Sequence, residues 1–399
     1  MSAWHEGLDQ RTGVVTAARR MFCENIPGGA RWRYVWGKLV LFVFLVQVVT
    51  GFVLLAHYSP SAHTAWESVH HLQHHVPGGA VLRGLHSVSA QLFVVLLALH
   101  IMQMVIFRAY RAPREVGFLL VLLLLPLAIG SSVTGWLLPF DEKGFWAARV
   151  PLNLLGLVPV VGPALQKLLI GGTDFGHYTL TRFAALHTVL LPLLLGGVLA
   201  VCFFLERRHG LPAQPHPGRP DQPYWPDQAL RDAAACLAVF ATALFLVWLP
   251  QLSGADRPGV ELFAPAELSE TYAAARPEWF MLWLFQFLKL FPSGTELWGA
   301  VILPSLALLI LAIMPWVGRW KLGAVFNTGF VLALAAGAAV LTASAIRADR
   351  QDAHYQAAVR QAKAAAQRAH ELASTPQGIP PAGALSLLRA DAWLQGPRL

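Results

Sequence analysis

The stretch Gly84–His100, GLHSVSAQLFVVLLALH, is apolar except for two serines, one glutamine and a histidine near each end. It carries no charge and no period-two alternation, so it reads as a helix surrounded by apolar material. Six similar stretches flank it, and together the seven cover about residues 36–57, 84–107, 116–138, 183–205, 231–250, 297–316 and 324–345, each long enough for a hydrocarbon layer of roughly 30 Å. The whole chain agrees: 56% of its 399 residues are hydrophobic and only 13% are charged, well outside the soluble globular range. Backbone groups in hydrocarbon need internal partners, which leaves helices or a closed barrel, and unbroken apolar runs exclude the barrel. The expectation is an all-α integral membrane protein with seven transmembrane helices.

Charge sets the expected topology. The N-terminal segment (Arg11, Arg19, Arg20, Arg31, Arg33), the loop with Arg108, Arg111 and Arg114, the connection with Arg207, Arg208 and Arg219, and the turn with Arg319 and Lys321 all fall on one side. Excess Lys and Arg in short loops marks the cytoplasmic side, so the N-terminus is expected inside and the C-terminus outside. The same clustering beside apolar runs explains the formal net charge of +8 through topology and anionic lipid, and no nucleic-acid partner is expected. No secretory leader is read in the first 35 residues. Cys23, Cys202 and Cys236 have neither CxxC nor CxxCH spacing, so they outline no disulfide framework, cysteine zinc site or ordinary c-type haem attachment.

The organisation expected is a cytoplasmic segment 1–35, a four-helix bundle 36–206, a Pro-rich linker 207–230, a three-helix unit 231–346 and an outer tail 347–399. The loops after the third and fifth spans contain VPVVGPALQKLLIGG and MLWLFQFLKLF, amphipathic stretches expected at the interface. The tail begins as an Ala-rich polar helix reaching about residue 373 and ends in TPQGIPPAG.

Most of the fifteen histidines, including His63, His70, His71, His74 and His75, fall in outer loops and read as solvated. Three lie at membrane depth, where a polar group is costly and points to a function. His86 and His100 are fourteen residues apart, nearly four turns, so they share a helix face about 21 Å apart. His187 opens the fourth span, parallel to the second and at the depth of His86. Imidazole is a common axial ligand of haem iron, and a four-helix bundle can bury two porphyrins between facing helices. A lone histidine in an apolar helix is more often satisfied by a hydroxyl or carbonyl, but this paired arrangement favours haem ligation. Gly37 and Gly51 on the first span repeat the fourteen-residue spacing, and the third span offers Gly117, Gly130 and Gly135. Glycine lets a backbone approach a flat macrocycle, although it also serves plain helix packing.

From about residue 30 to 345 the chain resembles cytochrome b of the bc-type complexes, through LVQVVTGF, RGLH, PREVGF, VTGWLLPFDEKGFWA, LTRFAALH and RPEWF. The wording is most similar to the chloroplast and cyanobacterial branch, with its four-helix cytochrome b and three-helix subunit IV fused here into one chain. The resemblance implies haem b held by His86 and His187 on the outer side, Arg83 at a propionate, and an outer quinol-oxidation pocket bordered by Pro277, Glu278, Trp279 and Phe280. A quinol gives up two protons and two electrons, so a mobile base such as Glu278 suits that pocket. The bland alternative is that Glu278 only caps the next helix. The family motif usually ends in Tyr, and Phe280 lacks that hydroxyl.

For the inner haem the resemblance implies His100 and a histidine fifteen residues after His187, where this chain has Cys202. Four outcomes stand: thiolate ligation opposite His100, a five-coordinate haem on His100, a thioether from Cys202 to the porphyrin, or no inner haem. Val35 replaces the cysteine that binds the branch's extra haem, so none is expected by that route. Arg207 and Arg208 match basic residues near the branch's inner site, and topology explains them equally well.

The implied function is the cytochrome b subunit of a quinol:cytochrome c reductase or related complex in the cell inner membrane. Its implied partners are quinol, a Rieske-type iron–sulfur protein and a c-type cytochrome, within a homodimeric multisubunit assembly in the lipid bilayer. The rivals are a di-haem anchor relaying electrons between quinone and a peripheral enzyme, which would lack the PEWF loop, a degenerate scaffold with one haem, and a transporter, which would need intramembrane charges. The tail loosely resembles segments that lead into fused c-type cytochrome domains, and it is expected to contact a c-type cytochrome or iron–sulfur partner.

Overall fold

The computed structural model describes residues 3–16, 23–172, 174–211, 220–268 and 272–392; Arg19, Arg20 and Arg219 lie outside them. A short helix α1 (Ala3–Thr12) precedes the first span, α2 (Trp36–Leu55). Next come α3 (Ala65–His74), α4 (Gly79–Ile106), α5 (Glu115–Leu137), α6 (Glu142–Gly156) and α7 (Gly162–Ile170). The fourth span is one long helix, α8 (His177–His209), and α9 (Asp227–Leu252) follows. Then come α10 (Leu282–Leu288), α11 (Trp298–Val317), α12 (Gly323–Gln351), α13 (Ala353–Ala373) and α14 (Ala384–Ala390).

Among the described residues, seven helices are long and apolar enough to cross a membrane, namely α2, α4, α5, α8, α9, α11 and α12. This is an all-α membrane protein. Phe52, Leu193, Leu237, Val325 and Val340 are 66–76% exposed, which marks them as lipid-facing, because hydrocarbon replaces water as their solvent. Helix α4 has the largest buried share of the seven and is the central one, packing against α2, α5, α9 and α12. Around it Val43, Phe93, Leu97, Ile101, Phe118, Leu124, Leu199 and Met314 form the main core. Two spans contain π-helical turns, Leu186–Leu190 within α8 and Trp298–Ile302 at the start of α11. Each turn contains the residue four before a proline, Thr188 for Pro192 and Ala300 for Pro304. A proline has no N–H and its ring crowds the carbonyl four residues earlier, so the helix widens there. His187 leaves the backbone inside the first of these turns.

Two small devices close the end of the bundle near His100. Asn25–Ile26 pairs antiparallel with Gln222–Pro223, tying the N-terminal segment to the connection between α8 and α9. Lys38 meets Glu206 at 3.1 Å, and Arg319 meets Glu115 at 3.0 Å.

At the opposite end α3, α6, α7, the strand-like segment 260–266 and the C-terminal helices form a cap. Asp141 begins α6, accepting from Gly144 N at 2.8 Å and from Phe263 N at 3.0 Å. The tail folds back on its own chain: Trp66, Val69, Leu262, Ala264, Ala369, Ala373 and Leu388 make one apolar cluster. Arg389 clamps Glu267 with two bonds of 2.9 Å, and Arg368 holds Asp391 at 2.7 Å.

Candidate functional site

His86 and His187 face one another across the gap between α4 and α8. Their ring centroids are 6.1 Å apart and their planes cross at 77°. An imidazole nitrogen binds a first-row metal at about 2 Å and the ring centre lies about 1 Å beyond, so rings on opposite sides of one ion stand about 6 Å apart. The tautomers suit that role. His187 Nδ1 is 2.9 Å from the carbonyl oxygen of Ser131, which only accepts, so Nδ1 carries the proton. Thr50 Oγ1 donates to Val46 O at 2.7 Å and accepts from His86 Nδ1 at 2.8 Å. Both Nε2 atoms keep their lone pairs, the arrangement typical of metal-ligating histidines.

The glycines make room. A Cβ on Gly51 would stand 3.1 Å from His86 Cε1, and one on Gly135 only 2.6 Å from His187 Cε1. Both glycines line a cavity of about 610 Å³ together with His86, His187, Arg83, Glu278 and Phe280. The Arg83 guanidinium is tethered to the Gln73 side chain and, at 2.8 Å, to Val260 O. The oxygens that fix it are neutral, and the carboxyl of Asp141 stands within electrostatic reach of it on the same cavity wall.

Glu278 stands at the start of the short turn Trp279–Met281, but its side chain makes no capping bond. It pairs instead with Lys143 at 2.9 Å. Burial works against the Lys143 ammonium, but Glu278 and Asp141 outweigh it and hold its pKa above the ordinary value. Burial pushes the carboxyls of Asp141 and Glu261 upward, and both line the same cavity. Phe280 is buried with its ring 6.2 Å from that of Trp136. Trp279 is half exposed and donates to Gln91 Oε1 at 2.6 Å. Neither Pro277 nor Trp279 contributes to the cavity wall.

A second cavity of about 150 Å³ lies toward the other end of α4, lined by His100, Cys202, Gly37, Gly117, Lys38 and Glu206 among others. His100 Nδ1 is buried there without a hydrogen-bond partner. Nothing lies within 4 Å of a Cβ placed on Gly117, so the backbone itself faces open space. Arg207 is not in this wall; it pairs with Glu24 at 2.7 Å and lies over the Phe203 ring. Sequence reasoning did not single out Lys143, Asp141 or Glu261 near Glu278, nor Lys38 and Glu206 near His100. Two of them stand in the quoted FDEKGF, where a buried acid beside a lysine was the available signal.

Two family profiles match, one described as cytochrome b/b6/petB over residues 24–210 and one as cytochrome b(C-terminal)/b6/petD over residues 265–355. The chain is 38% identical over 215 residues to the menaquinol:cytochrome c reductase cytochrome b subunit of Geobacillus thermodenitrificans, covering 52% of this chain and 96% of that one.

The chain belongs to the cytochrome b family.

It is also 33% identical to cytochrome b6 of Cyanidium caldarium over 53% of this chain and 98% of that relative. Likeness to cytochrome b of Cereibacter sphaeroides runs longer, 29% identity over 77% of this chain and 74% of the relative. A solved structure titled hyperthermophilic respiratory Complex III shares the fold, with a TM-score of 0.66, 23% identity and coverage of 85% of this chain and 97% of that one. Membership in the cytochrome b family implies haem b, and the residues around the larger cavity fit it: two imidazoles with free Nε2 atoms at the right separation, glycine at each ring and an arginine at the rim.

Proposed function

We propose that this cytochrome b is the quinol-oxidising membrane subunit of a bc-type complex, with the quinol pocket and one haem in the larger cavity. The observation that carries the reading is the His86–His187 pair opening on the same space that receives Glu278 and Phe280. Haem held there supplies a one-electron carrier beside the pocket. His86 and His187 bind it, with Thr50 and Ser131 fixing the protonated Nδ1 atoms away from it. Gly51 and Gly135 would leave the space for it, and Arg83 would face its anionic substituent. Glu278 accepts a proton from the quinol hydroxyl, and Lys143, 2.9 Å away, orients that carboxylate until then. Phe280 and Trp136 wall the pocket with aromatic surface, and Phe280 gives no hydroxyl for a further bond to the quinol.

His100 is the residue that would hold a second haem b at the smaller cavity, with Cys202 beside it in place of a second imidazole. Residues 36–206 make the haem bundle and 231–346 the three-helix unit that carries the PEWF loop, with 207–230 as linker. The chain lies in the cell inner membrane with its N-terminus cytoplasmic and the His86 end outside. A Rieske-type iron–sulfur protein docks at that end and passes an electron to a c-type cytochrome, within a homodimeric multisubunit complex. A di-haem anchor would also need paired histidines, but it would have no use for Glu278 at the cavity.

The test uses the complex purified from its own membranes. Haem content per chain and quinol-dependent cytochrome c reduction are measured for the parent and for His187→Leu. Loss of a bis-imidazole haem signal together with quinol oxidation is expected. A variant that keeps its full haem complement and turnover would overturn the proposal.

A further inference from the structure

At the His86 end, outside the membrane spans, three histidines converge: His70 and His74, one turn apart on α3, and His370 on α13. One ring nitrogen from each lies within 4.8 Å of the other two. We propose that His70, His74 and His370 bind one divalent transition-metal ion of the kind that prefers imidazole, zinc above all, and that this ion clips α13 onto α3.

Sequence alone gives His70 and His74 a solvated loop, and the structure corrects this. His70 is 2% exposed and Trp66 stacks on its ring at 5.0 Å. The Nε2 atoms of His70 and His74 and the Nδ1 atom of His370 are buried without hydrogen-bond partners. Three unpartnered imidazole nitrogens at one spot are costly unless something takes their lone pairs. The remaining nitrogen of His370, Nε2, is 2.9 Å from Leu262 O, an acceptor, which fixes the proton on Nε2 and leaves Nδ1 as the free donor atom.

The dimensions suit one ion. Nitrogens on one tetrahedral zinc at about 2.0–2.1 Å stand about 3.3 Å apart, so closing from 4.8 Å needs a shift of about 1 Å or less per ring. Ring centroids are 4.4, 4.9 and 5.4 Å apart, against about 5 Å for imidazoles on one tetrahedral ion. The rings now stack at 19–38°, so each must turn about its terminal torsion, a soft motion for histidine. Three protein ligands leave a fourth position for water. Burial first, and then the neighbouring histidines and Arg257, hold His70 and His74 in the neutral form that ligates, near pKa values of about 3 and about 4. Arg257 donates to His74 O at 3.3 Å, so its positive charge stands beside the site and moderates the affinity for a dication.

The consequence is mechanical. Helix α3 supplies Ser68, Val69 and Leu72 to the wall of the larger cavity, and Gln73 tethers Arg83. An ion bridging α3 and α13 therefore stiffens that wall from outside.

The test uses the full haem-loaded chain in detergent, treated with EDTA, incubated with zinc chloride and passed through a desalting column. About one zinc per chain is expected by mass spectrometry of the metal, falling to background in His74→Ala and His370→Ala but not in His63→Ala. Zinc should also slow tryptic cleavage within α13 in the parent and not in His370→Gln. Unchanged haem absorption in each variant shows that the membrane bundle is intact. Zinc retained equally by His74→Ala and the parent, or by neither, would overturn the proposal.

Discussion

His187 donates its Nδ1 proton to the carbonyl of Ser131 at 2.9 Å, and that carbonyl lies one helical turn before Gly135, the glycine against the same imidazole ring. One turn of α5 therefore both orients the imidazole and clears the space beside it. Thr50 does the corresponding work for His86 at 2.8 Å, beside Gly51. Thr50→Val leaves the His86 N–H buried without an acceptor. Haem retention should weaken by about 10- to 100-fold, measured as transfer to an apo-globin scavenger. Retention equal to the parent's would remove Thr50 from this role.

Gly135 and Gly117 should respond differently to the same change. A methyl on Gly135 overlaps His187 Cε1 at 2.6 Å, whereas nothing in the protein lies within 4 Å of one on Gly117. Gly135→Ala should cost about 1–3 kcal/mol of fit and distort the low-spin EPR signal of the haem at His86. Gly117→Ala should leave that signal alone and perturb only the second haem.

Glu278 and Lys143 form an ion pair at 2.9 Å, so they should not contribute equally. Glu278→Gln removes the base and should lower quinol oxidation by about 10²-fold or more, with haem spectra unchanged. Lys143→Met keeps the base but loses its orientation, and a smaller loss is expected. Steady-state turnover of the two variants, beside their haem content, separates loss of the base from loss of its orientation.

Cys202 lines the cavity of His100. Two haems per chain are expected in the parent, only one of them bis-imidazole by EPR and magnetic circular dichroism. Cys202→His should convert the second to the bis-imidazole type. Two bis-imidazole centres already present in the parent would show that Cys202 is not at the iron.

The docking of the tail should depend on pH. Burial, followed by mutual repulsion with His75, Arg257 and Arg83, lowers His70 to about 3 and His74 to about 4 from 6.5; His370 is lowered too, with Asp141 partly opposing. The undocked chain takes up protons first, so docking is strongest above pH 6.5 and weakens as the pH falls toward 4. The slope for one fully buried histidine is about 1.4 kcal/mol per pH unit. Protection factors of the α13 amides, corrected for the intrinsic pH dependence of exchange, should fall between pH 7 and 5, and His370→Gln should flatten that response.

The seven spans and the three intramembrane histidines were legible in order because hydrocarbon imposes a rule that operates along the chain: enough apolar residues to cross, and no polar group without a reason. His86 and His100 share a face by helical arithmetic alone. Arg207 shows the limit of such reading, since a basic residue beside a span gave no indication that Glu24 would hold it away from the cavity.

The amino-acid sequence by itself determined the fold class and which histidines lie at membrane depth, because each depends on composition or on spacing within one helix, and its motifs carried the resemblance to the family. Only the tertiary structure decided which distant groups meet: Lys143 with Glu278, Ser131 with His187, and His70 and His74 with His370. Those encounters depend on how helices and loops pack in space, and no pattern local to the chain encodes the distance between side chains on separate elements.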